Sequence, residues 1–174
     1  DKDGNLCYHR GDGSILLFTE KDGEYTAPDG YELKLNRKKI KENMFDFGEG
    51  EESYPVYQYT ITDETNVTKT FNYFGMLTSI EDEKGNQTVL TYDDNYNLRE
   101  ITSPAGPKYE FTTNEEGYIT AIQLPNGSTL SYAYDGNGNL ISYTDANGAV
   151  TKYEYDDAHR MTAWYDANGT RIVQ

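Results

Sequence analysis

The chain has 174 residues, with 30 Asp and Glu against 15 Lys and Arg, which gives a formal charge of −15 at pH 7. A surface of this sign repels phosphate backbones, so the composition excludes nucleic acid as an expected partner. The single cysteine, Cys7, excludes an internal disulfide and leaves the redox compartment open, and no apolar run of about 18 residues predicts a membrane span.

The first part of the chain, residues 1–66, predicts short and irregular β-hairpins. Three Asp-Gly pairs, which favour tight turns, separate short apolar runs such as residues 15–18. A regular pattern begins only at residue 67. We therefore divide the sequence into a divergent, Asp/Gly-rich hairpin region, 1–66, and a regular repeat region, 67–174.

Two charged segments interrupt the hairpin region. Residues 36–43 are the basic segment of this acidic chain and its one helix candidate. The preferred interpretation is a charged loop or an edge strand, because lysines commonly blunt sheet edges, and a binding patch is the alternative. Residues 44–55 are acidic and predict an exposed insertion.

From residue 67 onward the sequence repeats every 21 residues. Five glycines follow one another at this interval without slippage, and two apolar series and a set of Tyr-Asp pairs keep the same spacing. The residues that define the repeat are Tyr92, Asp93, Leu98, Gly106, Tyr134, Asp135, Leu140, Gly148, Tyr155, Asp156, Met161 and Gly169.

Each 21-residue unit carries two turn signals and therefore predicts one β-hairpin. The first signal, clearest at Asp145–Gly148, fits a three-residue loop with glycine in a left-handed conformation, which places Tyr143 opposite Thr151. The second follows the Tyr-Asp pair, where a bulge or irregular turn after Asp135 is needed to bring Leu140 onto the tyrosine face. The expected fold is an all-β, antiparallel meander of hairpins.

Four aromatic residues are the candidate contact residues of the repeats: Tyr132, Tyr143, Tyr153 and Trp164. Period-two alternation predicts that tyrosines of successive strands share one face of the sheet. A packed, stabilising ladder is the simplest interpretation of such a face. The alternatives are contact with a neighbouring wall or an enclosed domain, and recognition of a carbohydrate or receptor through exposed rings beside Asn and Asp.

The order Tyr-Asp, Gly/Asn turn, Leu, Asp-x-x-Gly and Tyr-x-Tyr-Asp in residues 134–169 resembles the Rhs/YD-repeat family. The resemblance covers residues 67–174, and residues 1–66 are similar to the divergent units that precede regular YD repeats. It implies a β-sheet strip that spirals into a hollow shell, as in bacterial Rhs toxins, insecticidal toxin-complex components and animal teneurins. Such shells often hold a toxic C-terminal domain. Because 174 residues make too little sheet to enclose one, we expect a fragment of a shell.

No catalytic constellation is visible in the sequence, and we expect neither an enzyme nor a cofactor. Asp135, Asn137 and Asn139 alternate like the first ligands of a calcium loop. Leu140 and Ala146 stand where such a loop requires Gly and Glu, so a turn explains these residues better and no metal site is expected.

The function expected from the sequence is a structural section of a large secreted or cell-surface bacterial protein that encloses or presents a C-terminal, toxin-like domain. The alternative is an adhesion module that binds a carbohydrate or receptor. The expected partners are the remaining repeats and the enclosed domain, and open strand edges predict self-association of the isolated chain.

Overall fold

A computed structural model describes residues 4–41 and 55–173, which form sixteen β-strands and no helix. Strands β1 to β8 are Leu6–His9, Ile15–Lys21, Glu24–Thr26, Lys34–Lys41, Val56–Thr62, Thr68–Phe71, Leu77–Glu81 and Gln87–Tyr92. Strands β9 to β16 are Leu98–Thr102, Lys108–Thr113, Ile119–Gln123, Thr129–Tyr134, Leu140–Thr144, Val150–Tyr155, Met161–Tyr165 and Arg171–Val173.

The strands form two antiparallel sheets in which chain order is also spatial order. Strands β1 to β3 make a three-stranded sheet, and β4 to β16 follow one another in a 13-stranded sheet. The predicted all-β meander is therefore confirmed. By its contacts the chain divides into two compact units, Asp1–Val89 and Leu90–Gln174. The division at residue 66, which rests on the regularity of the repeats, stays a prediction.

The basic segment lies in a strand. Residues 36–41 belong to β4, which ends the strand order of the larger sheet, so the edge-strand interpretation is confirmed for them. The helix candidate is wrong there, because the alternating burial of Leu35 between exposed neighbours suits a strand that packs one face. The expected insertion at 44–55 lies outside the described residues, except for residue 55.

The core of the first unit lies between its two sheets. Leu16 and Phe18 of β2 pack against Leu35 of β4 and Ile61 of β5, and Phe18 is completely buried. Half-buried side chains surround these four: Leu6, Tyr8, Tyr25, Ala27, Leu33, Tyr59 and Phe71. The three-stranded sheet thus covers one face of β4 to β6, and the first unit has two layers.

The described residues of the second unit show a different pattern of burial. Ala163 is the one buried apolar residue there, and the strands alternate half-buried with exposed positions, as in Thr129–Tyr134. Ladder hydrogen bonds and cross-strand side-chain pairs therefore hold this unit together, in place of a second layer within it.

One turn type connects most of the strands. At Asp145 the backbone N–H donates to the carbonyl of Ala149 (2.9 Å), and the Gly148 N–H donates to the carbonyl of Asp145 (3.0 Å). Twelve turns of the described chain share this pair of hydrogen bonds. The predicted three-residue loop is confirmed, because Tyr143 pairs with Thr151 across it.

A β-bulge follows the Tyr-Asp turn. Ala133 pairs with Ser142 and Tyr134 pairs with Leu140, so the ladder passes over Ile141. This places Leu140 on the tyrosine face, as expected. The register shifts at the corresponding position of three other hairpins. Side chains alternate with period two, so a 21-residue unit needs one extra, unpaired residue, and the bulge supplies it. Equivalent side chains of successive units therefore lie on the same face of the sheet.

The left-handed turn position predicts that His159→Gly is more stable than His159→Ala. Its φ of 60° puts a side chain where most of the equivalent turns have glycine, and its ring contacts the side chain of Asn139 at 2.8 Å. Both His159→Gly and His159→Ala remove that contact, but only glycine relieves the backbone strain. We expect the glycine variant to exceed the alanine variant by about 1 kcal/mol in free energy of unfolding, measured by urea denaturation. Equal stabilities would contradict a strained turn.

Candidate functional site

The aromatic face of the second unit consists of Tyr132, Tyr143, Tyr153 and Trp164. Tyr132 of β12 pairs with Tyr143 of β13, with ring centroids 5.4 Å apart, and Tyr153 of β14 pairs with Trp164 of β15. The strand alternation and the odd residue of the bulge bring all four to one side of the sheet. Each ring is half-buried, so part of its area is available for a further contact.

Residues predicted to define the repeat extend this face toward the turns. Tyr134 pairs with Leu140, and Tyr155 pairs with Met161. The Tyr134 hydroxyl donates to the carbonyl of Ile119 at 2.9 Å. These pairs join neighbouring strands of the repeat, which is the structural contribution expected of a tyrosine ladder.

The hydroxyl groups of Tyr132 and Tyr155 remain protonated at neutral pH. Burial raises the pKa of Tyr132 above its usual value, and the neighbouring phenols of Tyr143 and Tyr134 add to the effect. Burial likewise raises the pKa of Tyr155. These two residues therefore offer ring surface and neutral hydroxyl groups, a chemistry suited to contact and hydrogen bonding.

The aspartates of the Tyr-Asp pairs clamp the turns. Asp135 Oδ1 accepts hydrogen bonds from the backbone N–H groups of Asn137 and Asn139, both at 2.9 Å, and Oδ2 accepts one from the Asn139 side-chain amide. Asp156 repeats the two backbone bonds and adds an ion pair with Arg160 at 2.7 Å. The alternating polar residues that suggested a calcium loop are thus engaged with one another, as the turn interpretation predicted.

These clamps predict a loss of stability in acid. The Asn139 amide and backbone hold the pKa of Asp135 below its usual value, and donors in their own turns lower the pKa values of Asp93 and Asp156 likewise. A carboxylate with a lowered pKa stabilises the fold above its unfolded pKa and loses that contribution as the pH falls through the folded pKa. We expect the urea midpoint to be steady near neutrality and to fall below about pH 4.

The matched variant for this prediction is Asp135→Asn. Asn72 and Asn114 occupy equivalent turn positions and accept backbone hydrogen bonds through Oδ1, so the fold tolerates an amide there. The variant should lose less stability than the wild type between pH 6 and pH 3, because it has one titrating clamp fewer. An unchanged acid dependence would show that other carboxylates cause it.

A second set of side chains, on the opposite face, was not foreseen from the sequence. The Tyr165 hydroxyl donates to Glu154 Oε1 at 2.7 Å, and Arg171 pairs with Oε2 at 2.7 Å. The Tyr165 hydroxyl, followed by Arg171, lowers the pKa of Glu154. Period-two alternation could have placed these residues together, but only the register identifies them as neighbours. Their mutual satisfaction indicates a structural network.

Two searches of the described ranges gave negative results. Within residues 4–41 and 55–173 taken together, no group of three or more His, Cys, Asp or Glu side chains has a geometry that could hold a metal ion. The same part of the chain contains no helix with the length and hydropathy needed to cross a bilayer.

Comparison with known families decides what the repeats are. The family model described as RHS Repeat matches residues 71–108 and 134–171. The chain belongs to the Rhs/YD-repeat family. The two matched segments begin three 21-residue periods apart, at Phe71 and Tyr134, so the family match and the period derived from the sequence agree in phase. A comparison with curated proteins gave no match.

Membership in this family supports a structural repeat scaffold and agrees with the observed meander. Tyr92, Tyr134 and Tyr155 lie within the matched segments, and they and the aspartates that follow them stay predicted repeat-defining positions. The aromatic face lies on the same strands but receives no role from the family match, so its four residues stay predicted contact residues.

Proposed function

We propose that this Rhs/YD chain is a non-catalytic section of a larger shell, in which the aromatic face of the second unit packs against a covering layer. The covering layer would be further repeats or an enclosed, toxin-like C-terminal domain, in a secreted or cell-surface bacterial protein. The proposal depends on one observation, the different covering of equivalent faces in the two units.

Phe71 and Tyr134 occupy equivalent positions of the repeat, three periods apart. In the first unit, Phe71 belongs to the half-buried shell around Phe18 and Leu16, which the three-stranded sheet contributes. In the second unit, Tyr134 and the aromatic face are half-buried without a buried apolar side chain on their side. Covering such a face contributes roughly 25 cal/mol per Å² of apolar area removed from water, which favours its association with another surface.

The test is self-association of the chain, measured by analytical ultracentrifugation across the micromolar range. The wild type should associate through the aromatic face, and Tyr143→Thr/Trp164→Thr should be monomeric. The control Ser142→Thr/Lys152→Thr changes the opposite face of the sheet, on β13 and the adjacent strand β14, and should behave as the wild type. Circular dichroism checks that the variants remain folded.

Two outcomes would overturn the proposal. A strictly monomeric wild type would mean that the aromatic face does not require covering. Association that persists unchanged in Tyr143→Thr/Trp164→Thr would assign self-association to the open strand edges instead.

Exposure of the rings also favours a second candidate, an adhesion module for carbohydrates. Tyr109, on the same face, is 37% exposed, and sugar recognition uses accessible rings beside polar groups. A glycan-array screen tests it. Saturable binding that is lost in Tyr132→Ala/Tyr153→Ala, but kept in the turn variant Tyr96→Ala, would establish recognition by the aromatic face. No binding by a folded wild type would reject the adhesion module.

A further inference from the structure

Strand β4 concentrates positive charge in an acidic protein. Five of its eight residues are Lys or Arg, which is a third of the 15 cationic residues in the chain. The two strands that follow it in the sheet, Val56–Thr62 and Thr68–Phe71, contain no carboxylate. The strands that follow β4 in the sheet therefore supply no carboxylate to its cations.

Two of these cations lie exposed on the outer face of the sheet. Leu35 points into the core, so alternation turns Lys34 and Lys38 the other way, where they stand opposite Thr62 and Gln58. Within the described part of the chain, neither lysine takes part in a hydrogen bond or an ion pair. Their Cα atoms are about 13 Å apart along the strand, the length of four residues in extended conformation.

Arg37 projects on the other side of β4 and is fixed there without a carboxylate. Its guanidinium carbon lies 4.9 Å from the ring centroid of Tyr57 and 5.6 Å from that of Tyr25. Its Nη1 donates to the Tyr25 hydroxyl at 3.3 Å. These contacts orient the guanidinium group and leave its charge uncompensated.

Among the described strands, the backbone of β4 has a partner on one side alone. The strand ends the order of the 13-stranded sheet, and none of the backbone hydrogen bonds outside the described ladders involves residues 34–38. Such an edge accepts an additional strand. Pairing with a second β4 would oppose lysine and arginine with the same charges, which is unfavourable. The edge thus disfavours its own copy and suits a strand of opposite charge.

We propose that β4 binds an extended acidic segment of another polypeptide as an added strand. The backbone of that segment continues the hydrogen-bond ladder, and its carboxylates lie beside Lys34 and Lys38. An acidic polysaccharide would match the charge alone. The unpaired backbone edge favours a polypeptide, because only a polypeptide offers alternating N–H and C=O groups to pair with it.

The probe is a fluorescein-labelled octapeptide of alternating threonine and glutamate, and its binding is measured by fluorescence anisotropy. We expect saturable binding that weakens with added salt and weakens at least tenfold in Lys34→Glu/Lys38→Glu. The control Lys84→Glu/Lys152→Glu makes the same change of net charge at exposed lysines elsewhere and should bind as the wild type. The same octapeptide with an N-methyl group at every residue keeps its charge but has no N–H to donate to the ladder, and it should not bind.

Three results would overturn the proposal. Absence of binding would mean that the lysines only protect the edge. Equal binding of the N-methylated octapeptide, or displacement of the octapeptide by heparin together with tight binding of heparin itself, would indicate general attraction of polyanions. An unchanged affinity in Lys34→Glu/Lys38→Glu would place the peptide elsewhere on the chain.

Discussion

Replacing Phe18 with alanine is expected to lower the free energy of unfolding of the first unit by about 3–5 kcal/mol. Phe18 is fully buried at the centre of the contact between the three-stranded sheet and β4 to β6. Truncation leaves a cavity between two sheets, and the rigid ladders on both sides limit how far it can collapse. We expect the contact between the layers to weaken while the strands of the larger sheet keep their pairing.

Hydrogen exchange with mass spectrometry measures this effect, because peptides from β2 and β5 report on the first unit separately. Protection in these peptides should fall strongly in Phe18→Ala, and protection in β12 to β15 should change little. The neighbouring Leu17→Ala is the matched control, since Leu17 is 43% exposed and its loss should cost well under half as much. Similar effects of the two substitutions would contradict a core centred on Phe18.

Three glycine substitutions are expected to rank in a definite order of stability. Gly138 and Gly148 both have left-handed backbone, with φ of 81° and 85°, so alanine costs about 1–2 kcal/mol at either position. A Cβ at Gly138 would also lie 2.6 Å from the Tyr118 hydroxyl, whereas the space at Gly148 is open. Tyr118 would have to leave its stack on Tyr134, where the ring centroids are 4.9 Å apart, so Gly138→Ala should be the more destabilising.

Gly136 provides the control for this series. It lies in the same turn as Gly138, has open space around it and no left-handed φ, so Gly136→Ala should be neutral or slightly stabilising. Urea denaturation of the three single variants measures the series. If Gly138→Ala and Gly148→Ala were equally destabilising, the close approach of Tyr118 to residue 138 would have no effect on the free energy of unfolding.

Much of the repeat geometry could be predicted from the sequence. The positions of Gly148 and Asp145 predicted a loop type, and that loop type set the pairing of Tyr143 with Thr151. The bulge that returns Leu140 to the tyrosine face was expected for reasons of parity alone. All of these are local relations, because each hairpin contacts mainly its neighbours in sequence.

The candidate contact residues were predictable to the same extent. Alternation indicated that Tyr132 and Tyr153 share a face, and the register adds that they pair with Tyr143 and Trp164. The ion-paired network around Glu154 was missed, because its partners are recognised as neighbours only when the strand register is known. The degree of covering of the aromatic face was not predictable either, since a covered and an open ladder have the same alternation.

The sequence by itself determined the strands, the turns and the 21-residue hairpin unit, because backbone conformation and neighbouring pairs depend on local residue types. Tertiary structure decided which part of the meander has a second layer. The apolar run containing Leu16 and Phe18 could have paired with any strand or covered any half-buried face, and only long-range packing selects Leu35 and Ile61 as its partners. It also decided that the lysines of β4 border an open edge, because an edge is defined by the strand that is missing beside it.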